Sequence, residues 1–174
     1  MIGFPRKKAD GLYHLKYTYR GNTIEMAHLE YNELTLQIRE IFKEEVYGRL
    51  PCKERVVVDI GANNGDTAIY FALNQAKKVY AYEPFANVFE VAKLNIGANN
   101  IENIVLANAA IGSVDRITYV DGGQPTASHT GTDALSSKGN KRTPVYSLAS
   151  ITLENHIEDA SLKLDCEGGE YEIQ

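Results

Sequence analysis

Cysteine is scarce in this chain of 174 residues: it holds two, Cys52 and Cys166, in separate segments and without metal-ligand spacing. Their scarcity excludes a disulfide scaffold and a cysteine-built metal site, and leaves reduced thiols in a cytoplasmic protein as the expectation. Long apolar runs are lacking too. None approaches a membrane span, and residues 1–10 carry charges with no apolar stretch behind them, so neither a membrane partner nor a secretory leader is expected. Basic charge is in deficit, with 18 Lys and Arg against 23 Asp and Glu and a net charge of −5. Without a basic stripe to neutralise phosphates, a nucleic-acid partner is not expected either. What remains is ordinary: 44% hydrophobic and 24% charged residues, at a length suited to one soluble domain with a real core.

The glycines of a dinucleotide-binding turn are also missing. Val56-Val57-Val58-Asp59-Ile60 is a short β-branched run broken by Asp59, the pattern of a central parallel strand covered on both faces. Gly61 and Gly65 bracket the turn that follows, where a Cβ would obstruct a close approach. Asp66 and Thr67 suit the start of a helix over 68–77. Open α/β sheets place their ligands at such strand ends. A G-x-G-x-x-G turn would need glycine where this chain has Asn63 and Asp66, which disfavours a nicotinamide-dependent oxidoreductase. The pattern present, D-x-G-x-x-x-G ending at Gly65, resembles the first motif of class I S-adenosylmethionine-dependent methyltransferases. A tight turn without a ligand is the alternative.

A second strand over 79–82 ends in Glu83-Pro84-Phe85. An acidic residue there, about 20 residues beyond the glycine turn, is placed to accept both hydrogen bonds of a ribose diol. Pro84 stops the strand and biases Glu83 to extended backbone. A helix over 86–96 follows, then a third strand over 104–107 and Asn108, which can border an adenine or be a plain loop residue.

Before these elements, residues 12–26 alternate as a hairpin, turning at Arg20-Gly21-Asn22. Asn32 is expected to cap a helix over 33–47, with Leu34, Ile38, Ile41, Phe42 and Val46 on its apolar stripe. Residues 1–50 thus read as an accessory to a core over 51–174. After Asn108, strands over 116–120 and 144–148 are expected to pair. Between them lies a polar stretch, 121–143, with the length of a flexible lid or binding loop. It carries His129, read as a solvated loop residue. A helix over 151–157 precedes a fourth strand over 162–165, and Glu167 opens a last helix. In a doubly wound sheet the fourth strand neighbours the first, so Asp165 and Glu167 would share the crevice of Gly61. Acidic residues in a first helical turn also have a purely structural explanation.

V-V-V-D-I-G-A-N-N-G-D-T-A-I-Y-F-A (56–72), V-Y-A-Y-E-P-F (79–85) and L-K-L-D-C-E-G-G-E-Y-E-I (162–173) together resemble FkbM-family methyltransferases. The resemblance covers about residue 41 onward. It implies an α/β class I methyltransferase fold, Rossmann-like, doubly wound and mostly parallel, with the N-terminal hairpin and helix added to it. It further implies S-adenosylmethionine as cofactor and O-methylation of a sugar, polyketide or other small-molecule hydroxyl. Carried over by position, Asp59, Gly61, Asn63 and Gly65 would line the methionine end. Glu83, with Phe85 beside it, would hold the ribose, and Asn108 would border the adenine. Asp165 and Glu167 would face the methyl group, and one of them would take the acceptor's proton. No histidine sits at an expected strand end, and no metal cluster is visible.

The family's sheet continues past its fourth strand, so the sheet is expected to be C-terminally incomplete and residues 162–165 to form an edge. With Leu162, Leu164 and the single guard Lys163, that edge is expected to pair two copies as a homodimer. A binding module without turnover is the other functional class left open.

Overall fold

The computed structural model describes residues 4–120 and 140–165. Glu167, Cys166 and most of the 121–143 stretch, with His129, lie outside the described residues.

The centre is a four-stranded parallel sheet of β4 (Val56–Ile60), β5 (Lys78–Tyr82), β6 (Ile104–Ala107) and β10 (Ala160–Leu164), in the order β10-β4-β5-β6. This is the arrangement expected of the first four strands of a class I methyltransferase. Alternate residues of β4 and β5 face opposite layers, which is why both strands are apolar throughout. Val57, Val79 and Ala81 belong to one buried cluster, and Val58, Ile60, Tyr80 and Tyr82 to the other. The first layer holds α2 (Asp66–Leu73) and α3 (Ala86–Ala98); Ile151 of α4 (Leu148–Glu154) packs in the second.

The hairpin is present as β2 (Tyr13–Tyr19) and β3 (Asn22–His28), with Arg20 and Gly21 both at positive φ in the turn. Positive φ at both central residues is the mark of a tight hairpin turn whose twist matches its strands. A short β1 (Arg6–Lys7), not expected from the sequence, adds to β2. The buried face of β2 packs its tyrosines on the core. Tyr19 lies 5.4 Å from Phe42 and 5.8 Å from Tyr70 between ring centroids.

Several boundaries differ from expectation. The first helix, α1 (Tyr31–Gln37), is entered from Glu30 rather than capped by Asn32, and continues as a π-helical segment, Ile38–Lys43. Glu45 at positive φ ends it, so Val46 stays exposed instead of joining the apolar stripe. Helix α2 stops at Leu73, because Asn74 returns its amide to the Tyr70 carbonyl and Gln75 is left-handed. Helix α4 starts at Leu148, one turn early, since the Ser147 hydroxyl accepts the Ser150 N–H.

Strands β8 (Arg116–Val120) and β9 (Lys141–Ser147) pair antiparallel as expected, although β9 begins earlier. With β7 (Ala110–Gly112) they make a second small sheet, β7-β9-β8. Strand β10 is an edge among the described residues. Its lysine does not guard that edge: Lys163 is only 4% exposed and points into the protein.

Candidate functional site

The first strand delivers its chain into a left-handed turn, with Gly61 at φ +77°, Asn63 at +47° and Gly65 at +83°. The N–H groups of Gly61 and Ala62 both donate to the Tyr82 carbonyl at 3.0 Å, which straps the turn to the end of β5. Gly65 is required by its neighbour in the fold: a Cβ there would lie 3.3 Å from the Cβ of Ala92 on α3. The close approach that its glycine signals is therefore to a helix.

Glu83 lies across the same gap. It is buried, its Oε2 accepts the Asn63 N–H at 2.9 Å and its Oε1 accepts the Phe85 N–H at 2.9 Å. Burial pushes this carboxyl up to about 7, against the pull of those two N–H groups and of Lys163. Phe85 precedes α3 as its N-cap residue and is half-buried. Asn108 directly follows β6, and its amide donates to the carbonyls of Glu83 at 2.8 Å and Pro84 at 3.1 Å. Gly61, Asn63, Glu83, Phe85 and Asn108 are thus drawn into one connected set at the carboxyl ends of three adjacent strands.

Asp59 is fully buried beneath the turn. Its Oδ2 accepts the Thr67 hydroxyl at 2.6 Å, and its Oδ1 is 3.1 Å from the Lys163 ammonium. Parallel pairing sets Lys163 directly beside Asp59, so their side chains share a face of the sheet. The ammonium also donates to the carbonyls of Gly61 at 2.7 Å and Ile60 at 3.4 Å. Burial by itself would lower its pKa, but Asp59, Asp165 and Asp66 outweigh burial and raise it. A buried charge needs such partners, because an unpaired one is strongly disfavoured in the interior. Asp66, at the first turn of α2, is buried and pushed up to about 7 by that burial.

Asp165 lies at the exposed end of β10, with its N–H on the Ile60 carbonyl at 3.2 Å. Its Oδ2 accepts the Tyr47 hydroxyl at 2.7 Å. Burial and the hydrogen bond to Asp165 both raise the Tyr47 pKa, so the phenol stays protonated and donates. The fold therefore brings Asp165 to the Gly61 side of the turn.

Lys163, Tyr47 and Thr67 are the parts that sequence reasoning did not assign to the site. A lysine in an apolar strand, paired in register with the aspartate of the glycine-bounded strand, was the available signal for the first. Nothing local marks Tyr47, which comes from a turn far away in the chain.

A family model described as the methyltransferase FkbM domain matches residues 59–173. No curated protein matches the chain. Among solved structures, a Listeria monocytogenes protein described as an S-adenosylmethionine-dependent methyltransferase is 25% identical over 38% of this chain and 30% of its own, with a TM-score of 0.35. TYW2 of M. jannaschii, solved with AdoMet, is 20% identical over 55% of this chain and 43% of its own, with a TM-score of 0.38. YcgJ of Bacillus subtilis is 21% identical over 49% and 35%, with a TM-score of 0.33. The chain thus spans less than half of each of these proteins, and the assignment rests on the domain match alone. On that match, which runs from Asp59 through the glycine turn and Glu83 to the end of β10 and beyond, the chain belongs to the FkbM methyltransferase domain family.

Proposed function

We propose that this chain binds S-adenosylmethionine and directs its methyl group to a hydroxyl of a sugar or other small metabolite. The observation that carries this reading is Glu83. A buried carboxylate, pushed up to about 7 and held only by backbone N–H groups of the two flanking loops among its described hydrogen-bond partners, ends the strand next to the glycine turn. A ribose diol fits that need, because its two hydroxyls would donate to a carboxylate that burial otherwise leaves short of charge stabilisation.

In this reading Glu83 holds the ribose, with Phe85 beside it, and Asn108 borders the base. Gly61, Asn63 and Gly65 shape the turn along the methionine end. Asp59 acts beneath them, through Lys163 and Thr67. When bound, the cofactor supplies a methyl carbon already activated by sulfonium sulfur, so the protein's main contribution is alignment. A hydroxyl acceptor must release its proton as it is methylated, and Asp165 or Glu167 is the carboxylate proposed to take it.

Calorimetric titration with S-adenosylmethionine and, separately, with NAD tests the binding. Saturable binding of the first and none of the second is expected. Glu83→Ala should weaken it about 10- to 150-fold through loss of charge-assisted hydrogen bonds. Unchanged affinity in the folded variant would remove Glu83 from the site. Methyl transfer is then assayed with hydroxyl-bearing sugars and polyketides. Binding without transfer would assign a module that holds the cofactor and does not turn over.

A further inference from the structure

Tyr47 enters the candidate site from outside the matched domain, which begins at Asp59. Its ring packs on Phe71 of α2, with centroids 6.0 Å apart, and lies 5.9 Å from the buried Lys163 ammonium. A ring held between a core aromatic and an immobile cation has little freedom, so the place of its hydroxyl is set by the core. Asp165, by contrast, is at the exposed end of β10, where an aspartate side chain has several rotamers open to it. The contact between them is short, 2.7 Å from the Tyr47 hydroxyl to Asp165 Oδ2, and among the described residues it is the one hydrogen bond that the carboxylate makes. A phenol is suited to such a task, since it donates one hydrogen bond and carries no charge that would neutralise a carboxylate.

We infer that Tyr47 is a positioning residue, which holds Oδ2 of Asp165 so that Oδ1 is aimed at the reacting group of the bound cofactor. The inference rests on the proposed reading of Asp165 as a carboxylate facing the transferred methyl. It gives the N-terminal segment a part in the chemistry as well as in the packing.

The test compares the binding of two probes to the full chain. One is S-adenosylhomocysteine. The other is the S-adenosylmethionine analogue that carries a protonated amine where the methyl group stands. A carboxylate aimed at that position makes the wild type prefer the amine analogue, and Asp165→Asn should abolish the preference. Tyr47→Phe, which keeps the ring and removes the hydroxyl, should narrow it roughly 3- to 10-fold, the worth of one hydrogen bond. S-adenosylhomocysteine should still bind Tyr47→Phe within about twofold of wild type, within the range of a contact it does not use.

A full preference in Tyr47→Phe, alongside its loss in Asp165→Asn, would overturn the inference. So would a parallel loss of both probes in Tyr47→Phe, which would make the tyrosine a general support of the fold. If Asp165→Asn keeps the preference, Asp165 does not face the methyl and the inference falls while cofactor binding stands. If neither probe binds the wild type, the inference and the proposed function fall together.

Discussion

At Glu83, burial and hydrogen bonding act in opposite directions, and burial wins. The folded value, about 7, stands above the ordinary 4.5. A carboxyl raised in this way contributes stability that is fully present below the unfolded pKa and is lost as pH rises through the folded one. Asp66 is shifted in the same direction, also to about 7. Wild-type stability should therefore fall between pH 5 and pH 8, by up to about 3 kcal/mol for each group. Urea denaturation at several pH values, repeated on Glu83→Gln, should show a shallower fall in the variant. An identical slope would mean that Glu83 does not titrate in that window. The same sign governs the proposed ligand contact. Ribose hydroxyls donate best to the ionised form, so adenosine, which has no group titrating there, should bind more tightly at pH 8 than at pH 6.

Among the elements, β3 and α3 are joined by side chains that behave like a strand. The Asn95 amide exchanges two hydrogen bonds with Ala27, its Oδ1 accepting the N–H at 2.7 Å and its Nδ2 donating to the carbonyl at 2.9 Å. Asn99, one turn later, does the same with Glu25 at 2.9 and 2.7 Å. The outer edge of β3 is thereby satisfied by two asparagines. Asn95 also donates to the Asn64 carbonyl at 2.8 Å, tying the hairpin to the glycine turn. Asn95→Ala would leave buried donors and acceptors unpaired, and should cost about 2–4 kcal/mol in urea denaturation. Asn99→Ala, nearer the rim, should cost about 1 kcal/mol. Gly65→Ala faces both a positive φ and Ala92, and should destabilise by about 1–3 kcal/mol. Adding Ala92→Gly should recover the steric part and leave the cost of φ. If Gly65→Ala costs as much in the Ala92→Gly background as in wild type, with the helix cost of Ala92→Gly measured alone, backbone conformation accounts for all of it.

Over the whole molecule, the hairpin, the first helix and the sheet share one buried cluster. Leu15, Ile24, Met26, Leu34, Ile38 and Phe42 lie in it together with Val57, Ile69, Phe71 and Val79. Residues 51–174 without the first 50 would expose one layer of that core, and such a large apolar face is not tolerated by an isolated domain. The expected outcome is a shortened chain that binds a hydrophobic dye and lacks a cooperative thermal transition. A sharp transition in residues 51–174 would show that the core domain folds alone. Among the described residues, no helix is long and apolar enough to cross a membrane.

The sequence by itself determined the central strands, their parallel order and the family. Each of those signals is local: a β-branched run into a glycine turn, an acid before proline, a second acidic strand end. Strand periodicity and turn chemistry act over a few residues, so they survive reading in one dimension. Helix boundaries survived less well, because the ends at Glu45, Gln75 and Ser147 depend on single left-handed residues or caps that compete with the apolar pattern. What only the tertiary structure decided is which polar groups meet. Lys163 read as a guard on an exposed edge, yet pairing in register with Asp59 turns it inward and neutralises it there. Tyr47 read as the end of a helix, yet the packing of its ring on Phe71 carries its hydroxyl to Asp165. A buried charge or a long-range hydrogen bond is set by partners distant in the chain, and no local pattern records them.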